Sequence, residues 1–196
     1  IDALNPRTRM REIPAGAIGV RAATIAVVIA SLLFFGAAYA LGPLCLFLSP
    51  LALAWVLFYS YTKRFTQLSH LVLGLGLSIA PVGGYLAVTG AWSDPWWMLC
   101  VLSLAVMTWS GGFDILYALQ DVEFARTNRL RSIPAALGEQ GAVNVARVLH
   151  VMTISALCAV GMAVGGGLLY GIGVAIAAAL LLYEHTLVKP GDLSKL

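Results

Sequence analysis

Long stretches of this chain carry no charged residue. Between Ala22 and Thr62 there is no Asp, Glu, Lys or Arg, and the same holds over Phe65–Ser93, Pro95–Phe113 and Val148–Tyr183. A helix needs about 20 apolar residues to cross a hydrocarbon core of roughly 30 Å. The first run is long enough for two crossings, with Gly42-Pro43 as the turn between them. The second and third runs hold one crossing each, and Trp96-Trp97 anchors the start of the third at an interface. The fourth run holds two, broken at Gly165-Gly166-Gly167. The pattern predicts helices over about 17–40, 44–61, 69–91, 95–113, 143–164 and 168–184. The expected fold is an all-α, polytopic transmembrane helical bundle, with residues 1–196 forming one membrane domain.

The placement of charge tests that count. With six crossings, the loops near 41–43, 92–94 and 165–167 share one side, and none contains Lys or Arg. The N-terminal segment, the 62–68 loop, the 114–142 loop and the C-terminal tail share the other side. All twelve Lys and Arg fall there or within a turn or two of it, including Arg21, Arg147, Lys189 and Lys195. By the positive-inside rule that side is cytoplasmic. Eight of the nine acids lie there too, Asp192 among them, and only Asp94 does not. A wrong helix count would have scattered the charges over both faces.

Composition narrows the class further. Hydrophobic residues make up 60% of the chain and charged residues 11%, against about 25% charged in an ordinary soluble domain. This excludes a soluble globular enzyme, a disordered chain and a nucleic-acid-binding domain. Cys45, Cys100 and Cys158 lie inside apolar runs without metal-ligand spacing and read as small packing residues. His70, His150 and His185 stand isolated in sequence and read as interface or helix-end residues. Gly161/Gly165 and Gly167/Gly171 have the GxxxG spacing that lets helix backbones approach closely in lipid. The opening Ile1-Asp2-Ala3-Leu4-Asn5 has no initiator Met and no signal-peptide pattern. It reads as a loop cut in its middle, so the sequence is expected to be a piece of a longer protein.

The segment Asp114–Pro134 needs a chemical explanation. It continues an apolar helix, and Asp114, Tyr117 and Asp121 at i, i+3 and i+7 are expected on one face. Two carboxylates so placed repel each other, and a hard divalent cation would offset that. Mg²⁺ favours one or two carboxylates completed by water and substrate phosphates. Arg126, Arg129 and Arg131 follow, and could grip phosphate oxygens. Two readings stand at this point: a metal–diphosphate site, and a solvated amphipathic helix end. Two further segments at the same depth, Asp2–Pro14 and Tyr59–Arg64, favour the first.

In these residues the chain resembles the UbiA family of intramembrane prenyltransferases. Asp114-xx-Tyr117-Ala118-xx-Asp121 is similar to the family's second aspartate-rich motif, and Asp2-Ala-Leu-Asn5-Pro6-Arg7-Thr8 to the tail of its first, NxxxDxxxD, followed by the basic loop. Tyr59-xxx-Lys63 resembles the YxxxK element, and Ser132-Ile-Pro134 with Gly138 the stretch after motif two. The family has nine helices, so the resemblance implies that these six are its third to eighth, with the chain truncated at both ends. One position departs from the family pattern: Ala125 stands where motif two carries another Asp, and Glu123 lies about 200° round the helix from Asp121.

The resemblance implies an enzyme that moves a polyprenyl group from its diphosphate to an aromatic acid of the 4-hydroxybenzoate type in quinone biosynthesis. The phrase Asp114–Phe124 is also similar to enzymes prenylating a dihydroxynaphthoate-type acceptor in menaquinone biosynthesis. The implied cofactor is Mg²⁺ on Asp2, Asp114 and Asp121. The implied diphosphate ligands are Arg7, Arg11, Lys63 and Arg131, with Asn5 and Tyr59 also among the substrate-binding residues; Asp114, Asp121, Tyr117 and Lys63 carry the catalysis. Trp109 reads more readily as lipid or core packing than as a ring facing the allylic cation. The implied partners are a polyprenyl diphosphate, the aromatic acid and the lipid bilayer, with no nucleic acid. The implied location is a bacterial inner membrane, with the site facing the cytoplasm. A transporter or assembly factor would instead place ionisable residues at the midplane.

Overall fold

A computed structural model describes residues 2–188. Every regular element among them is helical. A short 3₁₀ turn, Asp2–Leu4, precedes α1 (Val20–Leu41), α2 (Pro43–Thr62), α3 (Ser69–Thr89) and α4 (Trp97–Tyr117). A second 3₁₀ turn, Ala118–Asp121, leads into the short α5 (Val122–Thr127), then α6 (Ile133–Ala163) and α7 (Leu168–Leu187). Six stretches are long and apolar enough to cross a membrane, α4 with α5 counting as one. The tail charges Lys189, Asp192 and Lys195 lie outside the described residues.

The chain forms two compact units, Ile1–Leu53 and Ala54–Leu196. In the first, Asn5 organises the polar N-terminal turns. Its carbonyl accepts from the Thr8 and Arg9 amides at 3.0 and 2.9 Å, and its side-chain oxygen from the Arg7 amide at 2.9 Å. The Thr8 hydroxyl donates to the Asp2 carbonyl at 3.0 Å. Beyond these turns α1 is apolar on nearly every side, with side chains such as Val20, Leu32 and Leu33 exposed, as suits a helix in lipid.

The second unit is built around α4, which packs between α3 and α6. Small residues make that possible. A Cβ on Gly74 of α3 would run into the Met107 carbonyl of α4, and one on Gly112 into the His150 ring of α6. Hydroxyl pairs bridge the same contacts, Ser78–Ser103 at 2.7 Å and Thr108–Thr153 at 2.8 Å. Such pairs satisfy polar atoms that lipid cannot. Near the charged end, Ile115, Leu116, Leu119 and Val122 pack with Ile133, Val143, Ala146 and Leu149 into an apolar core. The GxxxG expectation is not met as backbone contact. Gly161 makes room for the Tyr170 ring, whose hydroxyl donates to the Leu157 carbonyl at 2.7 Å, and nothing lies within 4 Å of a Cβ on Gly167 or Gly171.

Helix α6 begins at Ile133, ten residues before the apolar pattern places its start at 143. Residues 133–142 are helical but too polar for a span, so a hydropathy reading passes over them. Ser132 caps them, its hydroxyl accepting from the Ala135 amide at 3.2 Å, with Pro134 in the first turn. Gly138 (φ 71°, ψ 179°) kinks the helix there, in a backbone conformation that an L side chain rarely adopts.

Candidate active site

The charged end of the second unit assembles three segments. The first is the end of α2 and its following loop. Thr62 is fully buried, and its hydroxyl donates to the Tyr59 carbonyl at 2.6 Å. The second is the loop before α6. The Arg131 amide donates to the Lys63 carbonyl at 2.9 Å, and its guanidinium Nη1 to the Phe65 carbonyl at 2.7 Å. Arg131, a candidate diphosphate ligand in the sequence, thus clasps the loop that carries Lys63. The third is the α4–α5 junction with Asp114, Tyr117 and Asp121.

Asp114 has a partner that sequence spacing did not reveal. Nδ1 of His70, the second residue of α3, lies 2.7 Å from Asp114 Oδ2. The imidazole is 0% exposed and the carboxylate side chain 17% exposed. His70 opens α3 just after the 63–68 loop, so this contact joins the start of α3 to the end of α4. The isolated reading of the three histidines is therefore corrected. His70 is buried against a carboxylate, and His150 Nδ1 and His185 Nε2 meet at 2.9 Å with ring centroids 4.9 Å apart. One signal was available: an ionisable side chain at the head of a charge-free span needs a partner.

The helix through Asp114, Tyr117 and Asp121 is not regular: it tightens into a 3₁₀ turn over Ala118–Asp121, which advances about 120° per residue rather than 100°. Beyond it, Ala125 is buried at 8% exposed, whereas Glu123 is on the exposed side of α5. Glu123 is thus not poised to stand in for an acid at 125.

Tyr117 stacks on Phe113, with centroids 6.4 Å apart and planes 9° from parallel. With Trp109 they form a stripe at i, i+4 and i+8 on α4, left 51%, 54% and 41% exposed in chain order. Trp109 is therefore not a core residue of this unit.

Asp2, Asn5, Arg7 and Arg11 belong to the first unit; Tyr59, Lys63, Asp114, Tyr117, Asp121 and Arg131 belong to the second. Among the described residues no three His, Cys, Asp or Glu side chains converge as a ready metal cage. The donors at the α4–α5 junction are carboxylate oxygens, and Asp114 keeps part of its carboxylate accessible. That set suits a hard cation such as Mg²⁺, which takes one or two carboxylates and completes its octahedron with water and phosphate oxygens.

The model of the UbiA prenyltransferase family matches residues 1–196. A 4-hydroxybenzoate octaprenyltransferase of Aromatoleum aromaticum is 33% identical over 189 residues, covering 95% of this chain and 62% of that protein. One of Shewanella sediminis is 26% identical over 189 residues, covering 96% of this chain and 64% of that protein. The chain thus spans less than two thirds of the length of these curated relatives. The apo structure of a UbiA homolog from Aeropyrum pernix K1 matches with a TM-score of 0.89 and 33% identity, covering 95% of this chain and 70% of that one.

Proposed function

From the premise that this chain belongs to the UbiA prenyltransferase family and is an integral membrane protein, we propose that the protein transfers a polyprenyl group from a polyprenyl diphosphate to an aromatic acid. The acceptor we favour is 4-hydroxybenzoate, because the relatives matched over 95–96% of this chain carry that name. The observation that carries the reading is Asp114, part-exposed at the end of α4 and held at 2.7 Å by the buried His70, on the same helix end as Tyr117.

The reaction asks for three things. The diphosphate must become a good leaving group, the allylic cation must be kept from water, and the ring must reach its carbon. Asp114 and Asp121 are the residues of the second unit that would hold Mg²⁺. When bound, Mg²⁺ would neutralise the diphosphate as a Lewis acid. Lys63 and Arg131 supply donors for the diphosphate oxygens. Arg131 has a second task, fixing the backbone that presents Lys63. The allylic C–O bond breaks with its electron pair going to the diphosphate. The electron-rich ring carbon then forms the C–C bond, and the ring loses its proton to the released diphosphate. The faces of Tyr59 and Tyr117 are suited to stabilise the transient cation. The aromatic stripe Trp109–Phe113–Tyr117 offers an apolar path for the polyprenyl tail. The clustering of Lys and Arg at this end favours a site facing the cytoplasm, and the bacterial relatives favour a bacterial inner membrane.

The test uses the protein in native membranes with labelled polyprenyl diphosphate, Mg²⁺ and either 4-hydroxybenzoate or a dihydroxynaphthoate. Label on 4-hydroxybenzoate that EDTA abolishes supports the reading. Label on the naphthoate alone moves the acceptor to the menaquinone type. No label on either acceptor overturns prenyl transfer to these acids.

A further inference from the structure

We propose that His70 is a positioning residue for Asp114: it holds one carboxylate oxygen so that the rest of the carboxylate stays turned toward a divalent cation. The inference rests on the prenyl-transfer reading above. His70 cannot touch a substrate, since its side chain is 0% exposed; Asp114, at 17%, can. Whatever His70 does for the reaction, it does through the 2.7 Å contact with Asp114 Oδ2. The carboxylate accepts only, so Nδ1 carries the proton and donates. Nε2 is buried and has no hydrogen-bond partner among the described residues, so Asp114 is where the ring directs its polar chemistry.

The donor itself is rigidly placed. It sits in the first turn of α3, and α4 approaches it at Gly111, where a Cβ would stand 3.4 Å from the His70 carbonyl and 2.9 Å from Leu71 Cδ2. The acceptor is one turn from the end of α4, just before the chain tightens into the 3₁₀ turn. The last torsion of an Asp side chain is broad and roughly two-fold. A charge-assisted bond to one oxygen narrows it before any cation arrives. Carboxylates that ligate metals are commonly oriented by such a bond, and its loss typically weakens metal affinity or activity 10–100-fold.

The experiment compares the whole protein with His70→Leu and His70→Met, which keep an apolar volume without a donor, and with His70→Gln, which keeps an N–H donor. Ser78→Ala removes a different buried polar pair on the same helix. Two readouts are taken: Mn²⁺ binding in the presence of inorganic pyrophosphate, followed by electron paramagnetic resonance, and the Mg²⁺ concentration giving half-maximal transfer. The expected result is a rise of roughly tenfold or more in both constants for Leu and Met. Gln should stay near wild type, Ser78→Ala should be unchanged, and maximal transfer at saturating Mg²⁺ should be largely kept. Unchanged Mn²⁺ affinity in folded Leu or Met variants overturns the proposal. So does a failure of both variants to accumulate as folded protein, which makes His70 a structural tie. If wild type itself neither binds Mn²⁺ nor transfers label, the prenyl-transfer reading falls, and this inference with it.

Discussion

Gly112 of α4 lies directly under the imidazole of His150 of α6, so closely that a Cβ on the glycine would overlap the ring. The same ring reaches His185 at 2.9 Å, so one missing side chain permits both the α4–α6 approach and the histidine pair. Gly112→Ala should cost about 1–3 kcal/mol as an overpacked contact and should separate the two rings. Gly171→Ala, where nothing lies within 4 Å, should instead be neutral or stabilising by up to about 1 kcal/mol. Thermal unfolding in detergent micelles compares the two, and equal effects would contradict this account of the packing.

The Arg131 clasp predicts a local change without global loss. Arg131→Ala keeps the backbone bond to Lys63 but removes the guanidinium bond to the Phe65 carbonyl. Such a bond is worth about 1 kcal/mol, so opening of the loop should rise roughly fivefold. Limited trypsin digestion after Lys63 and Arg64 reads this directly. Cleavage at the wild-type rate would show that the clasp does not hold the loop.

Ala125→Asp should make the fold sensitive to cation. Position 125 is buried, and an unpaired carboxylate there is costly to desolvate. The variant should melt below wild type in EDTA, and regain most of the loss when Mg²⁺ and pyrophosphate are added together. A melting point that ignores the cation would mean that residue 125 does not face the metal-binding carboxylates.

The Thr108–Thr153 bridge offers a clean coupling measurement, because each hydroxyl has one proton and also faces a carbonyl of its own helix, Leu104 for Thr108 and Leu149 for Thr153. A double-mutant cycle with Thr108→Val and Thr153→Val should give a coupling of about 0.6 kcal/mol and no more than about 1.7 kcal/mol, the range for interhelical polar pairs in membranes. A coupling near zero would assign both hydroxyls wholly to their own helices.

The spans were legible because lipid imposes a length and a polarity on any helix that crosses it, and the Ala22–Thr62 and Val148–Tyr183 runs state both. The Asp114 and Asp121 pair drew attention in the sequence because two carboxylates a turn or two apart repel each other and ask for a cation; that role is the reading proposed above. What pattern reading missed was tertiary. His70 and Asp114 are 44 residues apart on different helices, and no periodicity links them. The 3₁₀ turn at Ala118–Asp121 escaped because Ala-Leu-Gln-Asp is ordinary helical sequence, and the departure is set by packing of Leu119 and Val122 against α6. The close approach of α3 and α4 runs through single glycines, Gly74 and Gly111, which no spacing in the sequence marks out.

Helix α7 is tied to α6 by one polar link near each end. Tyr170 reaches the Leu157 carbonyl in its first turn, and His185 meets His150 in its last. Fifteen residues separate the two attachment points on α7, about 22 Å of helix at 1.5 Å per residue. An axial slide by one turn would break both links at once, whereas a small outward tilt about either link would break only the other. The pair therefore fixes the register of the two helices and leaves tilting as the lower-cost way for α7 to part from its neighbour.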